Sequence, residues 1–510
     1  MKPGTVYLIG AGPGEPSLIS VKGFRHITSA DVVVHDQLVH PRLLESARPD
    51  AEKIDVGTVS PRPREQDAIC FLLADKAREG KMVARLKWGD PFVFDSGGKE
   101  ALFLHEQRIP FEVVPGLPPS IGGPCFAGVP ITYPEASDAL IFIRGHETET
   151  NTPPDVDWSR VAPLQSTIVS YAGGAQLEVI IDELLTNGRS PNEPAALILN
   201  GTLPNQRTLQ GSLLQIQSVV RKAQRQNSAV LVVGPVVGLR EHLRWFDARP
   251  LFGKSVLVTR ARDQAREFVD RLLDLGANPI EVPTIRIAAP EDDGPLDEAC
   301  TAAGTFDWIV FTSVNAVDAF MEHLLAGPRD VRALQGVRLC AIGPATAAQL
   351  GRFGLKVDLM PSEHRAEAIG EALRRESDLE GTRVLLPRAD LARALLPSEL
   401  RHAGAEVVEV TAYRTVPVSQ PHDVDIYKML LEQEIDVVTF TSASTVRNFV
   451  KLVGAEPAID LLGTTVVAAI GPVTAEAGRQ LGIETTIIPS TYTVPALAQA
   501  IADHFTHDAG

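Results

Sequence analysis

A chain of 510 residues exceeds what one hydrophobic core supports, so two or three domains are expected, each large enough to fold without disulfide or metal staples. With 44% hydrophobic and 22% charged residues the composition is that of a soluble globular α/β protein, which excludes disordered and fibrous classes. The formal charge of −16 excludes nucleic acid as a partner, and it requires any anionic ligand to meet a local cluster of arginines.

The chain opens on the apolar run VYLIG, followed by a helix-like segment from Ser17 to Thr28 and then DVVVHD, the alternation that parallel sheets produce. With neither a basic leader nor an apolar run of membrane length, the expected location is the cytoplasm, with no membrane partner. Between the first strand and helix lies GAGPG, Gly10 to Gly14, where missing side chains let a ligand approach the backbone. Pro13 and the placing of Gly14 depart from GxGxxG, which disfavours a dinucleotide-binding dehydrogenase. Asp36, at the end of the next strand, is a ready cap. Cys70, Cys125, Cys300 and Cys340 lack metal or redox spacing and read as reduced, mostly buried thiols. A connector, WFDARPLFGKS from Trp245 to Ser255, separates residues 1–245 from 254–510, with 246–253 as linker.

The second part contains an internal repeat. Lys254 to Ile287 aligns with Thr382 to Thr415 at an offset of 128 residues, placing Val256, Arg260, Gly276, Glu281 and Arg286 against Val384, Arg388, Gly404, Glu409 and Arg414. DWIVFTSVNAV (Asp307 to Val317) then matches DVVTFTSASTV (Asp436 to Val446), and AIGPATA (Ala341 to Ala347) matches AIGPVTA (Ala469 to Ala475). Strands ending in Thr312-Ser313 and Thr441-Ser442, and in Gly343 and Gly471 ahead of Thr346 and Thr474, place hydroxyls and free N–H groups at the carboxyl ends of parallel strands. Each such hydroxyl is also a ready helix cap. Tyr413 stands where the first copy has Ile285; it is either an edge-strand tyrosine or a phenol of pKa about 10 that donates a proton or hydrogen bond without carrying charge at neutral pH.

The duplicated FTS and IGPxTA ends, the TRA and PRA strands and the AYRT segment resemble uroporphyrinogen-III synthase over about Lys254 to Ile501. That resemblance implies two α/β lobes joined by a two-stranded linker, residues 287–412 forming the contiguous lobe and 254–286 with 413–502 the other. It implies cofactor-free cyclisation of hydroxymethylbilane with inversion of its last pyrrole, and Tyr413 matches the tyrosine that assists hydroxide departure. Arg260, Arg262, Arg286, Arg388 and Arg414 are then the candidates for the substrate's carboxylates, beside the hydroxyl and glycine ends.

GAGPG, HDQLV, RLKWGDPFVF, VVPG, AGVPIT and NQRTLQG together resemble the tetrapyrrole methyltransferases, specifically uroporphyrinogen-III C-methyltransferase, over roughly Thr5 to Val237. This implies two α/β subdomains, usually as a homodimer, with S-adenosylmethionine in the cleft between them and methylation of uroporphyrinogen III at C2 and C7. Gly10, Gly12, Pro13, Gly14, Gly89, Asp90, Val93 and Gly201 fall on cofactor positions, and Asp36 on the proposed base. The chain departs from the pattern at Trp88 for glycine, Pro118-Pro119 for a hydroxyl pair, Ala172 for methionine, Gln37 for arginine and Thr58 for lysine. Two readings follow: a bifunctional enzyme, or a synthase carrying a methyltransferase-like module that no longer turns over. A tetrapyrrole-binding scaffold or sensor is a third.

Overall fold

The structure, a computed structural model, describes the chain apart from residues 1–2, 58–64, 138, 146–154, 224–228, 261, 284, 362–365, 391–394, 418–424 and 508–510. Thr58 lies outside the described residues. Among them no helix is long and apolar enough to cross a membrane. There are two compact units: Met1–Ser255 with Arg271–Asn278 and Ala502–Gly510, and Val256–Asp270 with Pro279–Ile501. Arg271–Asn278 joins the first unit, apart from the rest of 254–510, because Leu251 N and Arg249 Nη1 donate to the carbonyls of Leu275 and Leu273.

In the first unit β1 (Val6–Gly10), β2 (Val32–His35), β3 (Glu52–Asp55), β4 (Val83–Lys87) and β5 (Phe111–Val114) form a parallel sheet in the order β3-β2-β4-β1-β5. Val6, Leu8, Val32 and Val83 pack on one face against Leu73, while Ile9, Val33, Ala84 and Leu86 pack on the other against Ile27. Strands covered on both faces need such unbroken apolar runs. Arg85 and Lys87 on β4 are buried exceptions.

A second sheet holds β6 (Leu140–Arg144), β7 (Thr167–Ala172), β8 (Pro194–Leu199), β9 (Arg207–Ser212) and β10 (Ala229–Val233), in the order β6-β7-β10-β8-β9. The rhythm of the sequence predicts parallel strands here too, but only β6 and β7 pair that way. The segment between β8 and β9 is too short for a crossover, so the chain returns antiparallel.

The remaining strands are β11 (Ser255–Val258), β12 (Asn278–Glu281), β13 (Ile285–Ala288), β14 (Trp308–Phe311), β15 (Arg338–Ala341), β16 (Arg383–Ala389), β17 (Glu406–Pro417), β18 (Val437–Phe440) and β19 (Val466–Ala469). They form sheets ordered β12-β11-β18-β19 and β13-β17-β16-β14-β15. The repeated segments take the same places: β11 and β16 lie beside β12 and β17, followed by β18 or β14 and then β19 or β15. Gly276 and Gly404 close matching helices at φ +93° and +89°, a conformation that favours glycine. An edge-to-face pair also recurs, Phe311–Phe320 at 5.6 Å and Phe440–Phe449 at 5.5 Å.

β17 continues beyond its parallel pairing with β16 to run antiparallel to β13, with Ala288 opposite Arg414. The lobe boundary read from sequence, between 412 and 413, therefore falls inside one continuous strand, and Tyr413 packs on the core of the contiguous lobe.

Candidate active sites

Asp36 sits just past β2 with both oxygens engaged. Oδ1 accepts from Arg85 Nη2 at 2.6 Å and Oδ2 from Trp88 N at 3.2 Å. Arg85 in turn meets Glu100 Oε1 at 3.3 Å, and Lys87 Nζ reaches Glu100 Oε1 at 3.0 Å and Asp95 Oδ1 at 2.9 Å. Burial pushes the Glu100 carboxyl up, but Arg85 and Lys87 more than offset it and hold the group at about 2. For Asp95 burial prevails over Lys87, and its carboxyl is raised. Glu100 Oε2 is buried and has no hydrogen-bond partner among the described residues. Arg85 and Lys87 stand in the RLKWGDPFVF motif, but Asp95 and Glu100 lie beyond it; the available signal for the network is two cations at i and i+2 in an otherwise apolar strand.

Two cavities flank this network. One of ≈ 310 Å³ is lined by Asp36, Asp90, Val93, Asp95 and Arg144, and another of ≈ 460 Å³ by Pro13, Gly14, Asn200, Gly201, Leu203 and Val230. Trp88 and Tyr171 border both, their rings 4.7 Å apart. The cofactor candidates thus divide: Pro13, Gly14 and Gly201 line the larger cavity, Asp90 and Val93 the smaller, and Gly10, Gly12 and Gly89 hold the loops. Gly12 N donates to Gly89 O at 3.2 Å and Gly89 N to Gly12 O at 2.8 Å, while a Cβ on Gly10 would lie 2.5 Å from Gly116. Asp90 also acts on the loops, accepting from Phe92 N and Gly116 N at 2.8 Å each.

Sequence reasoning misses Asn200 and Thr202, which flank Gly201 at φ +50° and +75°. For a β-branched residue this is strained backbone, and it persists because Thr202 N donates to Gln206 Oε1 at 2.8 Å and Thr202 Oγ1 accepts from Glu15 N at 3.1 Å. The Asn-Gly pair is the local turn signal that points there. Pro118 and Pro119 begin the helix Pro119–Phe126, and Ala172 is buried in β7.

In the contiguous lobe Ser313 caps the helix Val314–Ala326, accepting from Ala316 N at 3.1 Å, and its Oγ is also 3.1 Å from Tyr413 Oη. A slip in the β16–β17 register produces that contact. Arg388 faces Thr411 but Ala389 faces Tyr413, so Ala412 is an extra residue and Tyr413 turns onto the same core as Val410 and Ala412. In the matching place Ser442 caps Ala443–Val453 in a reciprocal box with Thr445.

Gly343 and Gly471 precede helices without a side-chain cap; each helix begins with proline, which has no N–H, and Thr474 N donates to Gly471 O at 3.1 Å. Thr346 and Thr474 are buried in those first turns, so their side chains do not present to a ligand as expected. Thr312 and Thr441 are half-buried.

The arginines do not form one free cluster. Arg388 Nη1 pairs with Glu409 at 2.7 Å, and Arg414 pairs with Glu291 and donates to Ala289 O. Burial lowers the pKa of Arg260, with Glu267 acting against it. Arg262 begins the helix Arg262–Asp274 and Arg286 lies on β13, but the structure does not describe their side chains. Cys70, Cys300 and Cys340 are buried, whereas Cys125 is exposed.

Residues 5–217 match the family described as Tetrapyrrole (Corrin/Porphyrin) Methylases, and residues 266–499 match Uroporphyrinogen-III synthase HemD. The porphyrin biosynthesis protein HemD of Ruminiclostridium josui is 34% identical over 486 residues, covering 95% of each chain. The chain belongs to this family of fused methylase–synthase proteins. The uroporphyrinogen-III C-methyltransferase of Bacillus subtilis (strain 168) is 36% identical over 72% of this chain and 76% of its own length. That of a Sinorhizobium species is 40% identical over 49% of this chain and 89% of its own. A solved structure, the uroporphyrin-III-C-methyltransferase of Thermus thermophilus, has 35% identity and a TM-score of 0.40, over 49% of this chain and 99% of that one. The chain is a tetrapyrrole-biosynthesis enzyme with a methylase half and a HemD-type synthase half.

Proposed function

We propose that the synthase half closes hydroxymethylbilane to uroporphyrinogen III, inverting the last pyrrole, and that the methylase half transfers methyl groups from S-adenosylmethionine to C2 and C7 of that product. The observation carrying the first step is the Tyr413 hydroxyl, held beside Ser313 in one lobe only. Tyr413 donates its proton to the departing hydroxyl, and the lobes hold the chain folded and exclude water. This half needs no cofactor. A trial with hydroxymethylbilane tests the step: rapid accumulation of the type III isomer supports it, and the spontaneous type I isomer alone overturns it.

In the methylase half the ≈ 460 Å³ cavity fits an adenosine-bearing group, with Gly14 and Gly201 in its lining and apolar walls at Leu203 and Val230. A Cβ on Gly201 would come within 2.9 Å of Gly123 Cα, so this wall has no room for a side chain. The bound cofactor supplies an electrophilic methyl group. Asp36, fixed by Arg85 and Trp88 N, faces the neighbouring cavity and takes the proton from the methylated carbon. A cytoplasmic homodimer assembled through this half completes the reading, supported by exposed Leu243 and Trp245 on one apolar groove.

The Trp88–Tyr171 contact favours a second reading, in which the indole bars the passage between the cavities and the half binds without turning over. Titration with S-adenosylmethionine by calorimetry, together with a methyl-transfer assay, decides between the two. Saturable binding with methylated product removes the second reading; silence in both removes methylation.

A further inference from the structure

We infer that Ser313 is a positioning residue for the ring-closing step: its hydroxyl donates to Tyr413 Oη, leaving the phenolic proton free for the departing hydroxyl of the substrate. This rests on the reading of Tyr413 as the proton donor.

A serine hydroxyl has one hydrogen and two lone pairs. One lone pair of Ser313 Oγ receives Ala316 N at 3.1 Å, and Tyr413 Oη stands 3.1 Å away on another side. If Tyr413 donated to Ser313, its only proton would be spent inside the protein. If Ser313 donates, both hydroxyls are satisfied and the phenol still has a proton to give.

The matching lobe shows what a serine in this place does without the tyrosine. Ser442 N is capped by Thr445 Oγ1 at 3.2 Å, Ser442 Oγ accepts from Thr445 N at 3.2 Å, and Ser442 Oγ lies 2.8 Å from Ser444 Oγ. That hydroxyl is enclosed in a local capping network. In the contiguous lobe the third helical position is Ala316, which has no hydroxyl to close the box, and Ser313 turns to Tyr413. The two copies thus differ together at the cap and at Tyr413. Asp390 N donates to Tyr413 O at 3.1 Å, and the ring packs on the lobe's core, so the backbone and ring are fixed while the hydroxyl is steered by Ser313.

In the step itself the carbon–oxygen bond of the terminal hydroxymethyl group breaks, and its electron pair leaves on oxygen. That oxygen takes the Tyr413 proton and departs as water. The pyrrole nitrogen lone pair conjugates with the vacated carbon to give the azafulvenium cation. Tyr413 is left as a phenolate that accepts the Ser313 hydrogen bond until a solvent proton restores it.

Ser313→Ala in the full chain is expected to lower kcat for hydroxymethylbilane by roughly 10- to 100-fold, the worth of a hydrogen bond to a charged group, with KM nearly unchanged. Ser313→Thr, which keeps the hydroxyl, should restore most of the rate. Ser313→Asp keeps an acceptor for Ala316 N but has no hydroxyl proton to give, so it should lose rate even where the alanine variant folds poorly. Combined with Tyr413→Phe, Ser313→Ala should cost nothing further. A kcat equal to wild type in both Ser313→Ala and Ser313→Asp, alongside a slow Tyr413→Phe, overturns the positioning role alone. An unchanged rate in Tyr413→Phe instead overturns the reading on which it rests.

Discussion

The two halves present opposite kinds of site. In the methylase half Asp36 is anchored in a buried chain of charges, Arg85, Glu100, Lys87 and Asp95, whereas in the synthase half Tyr413 is held by a neutral hydroxyl on a helix cap. A charged network fixes geometry firmly, but each member depends on the ionisation of the others and on exclusion of water. A pair of hydroxyls carries no net charge, so it can sit next to a polyanion without adding repulsion and still release a proton. The contrast teaches that the first site should respond to acid and to deletion by losing structure, the second by losing rate.

The largest expected effect is on rate. Tyr413→Phe should reduce conversion of hydroxymethylbilane by about 10²- to 10⁴-fold with little change in thermal midpoint, read by stopped-time isomer analysis. Loss of fold without loss of rate in folded protein would reverse the contrast. Next comes Glu100→Ala, which removes the buried carboxylate shared by Arg85 and Lys87, leaving them only Asp36 and Asp95, and should destabilise the methylase half by about 3–5 kcal/mol in urea unfolding. A loss under about 1 kcal/mol would show that the network contributes little.

The same carboxylate sets a pH window. Its folded pKa, about 2, lies below the ordinary 4.5, so its contribution is fully present above 4.5 and disappears as pH falls toward 2. Glu100→Gln should flatten that part of the stability curve in acid titrations followed by circular dichroism, and an unaltered curve would break the assignment. Trp88→Gly should then tighten S-adenosylmethionine binding by about tenfold if the indole obstructs the cavities, measured by calorimetry; weaker binding would make the indole part of the site. Smallest is Arg388→Ala: since its guanidinium is already paired with Glu409, KM for hydroxymethylbilane should change less than about threefold.

Much of this was legible in the sequence because it repeats. The paired FTS and IGPxTA ends predict equivalent strand ends, and Tyr413 against Ile285 marks where the copies diverge. What was not legible depends on contacts between distant segments. The ion pairs of Arg388 with Glu409 and of Arg414 with Glu291 form only in the folded chain. Thr346 and Thr474 read as accessible hydroxyls, but their helices turn them inward, which a motif does not record. The network around Glu100 joins residues from β4, the loop after it and the following helix, and only its β4 members lie in a recognised motif. The antiparallel β8–β9 return was hidden by apolar patterning that suits either direction.

The extra residue at Ala412 has a consequence for how the chain tolerates change. Side chains alternate along a strand, so the face on which residue 413 lies depends on the parity of the count from Glu406. Strict alternation would set Val410 and Tyr413, three residues apart, on opposite faces; the extra residue at Ala412 brings both onto one core beside Ser313. The tyrosine is thus placed by an irregularity that alternation alone would not give, and deleting Ala412 should leave the ring on the face of Val410 in a protein that still folds.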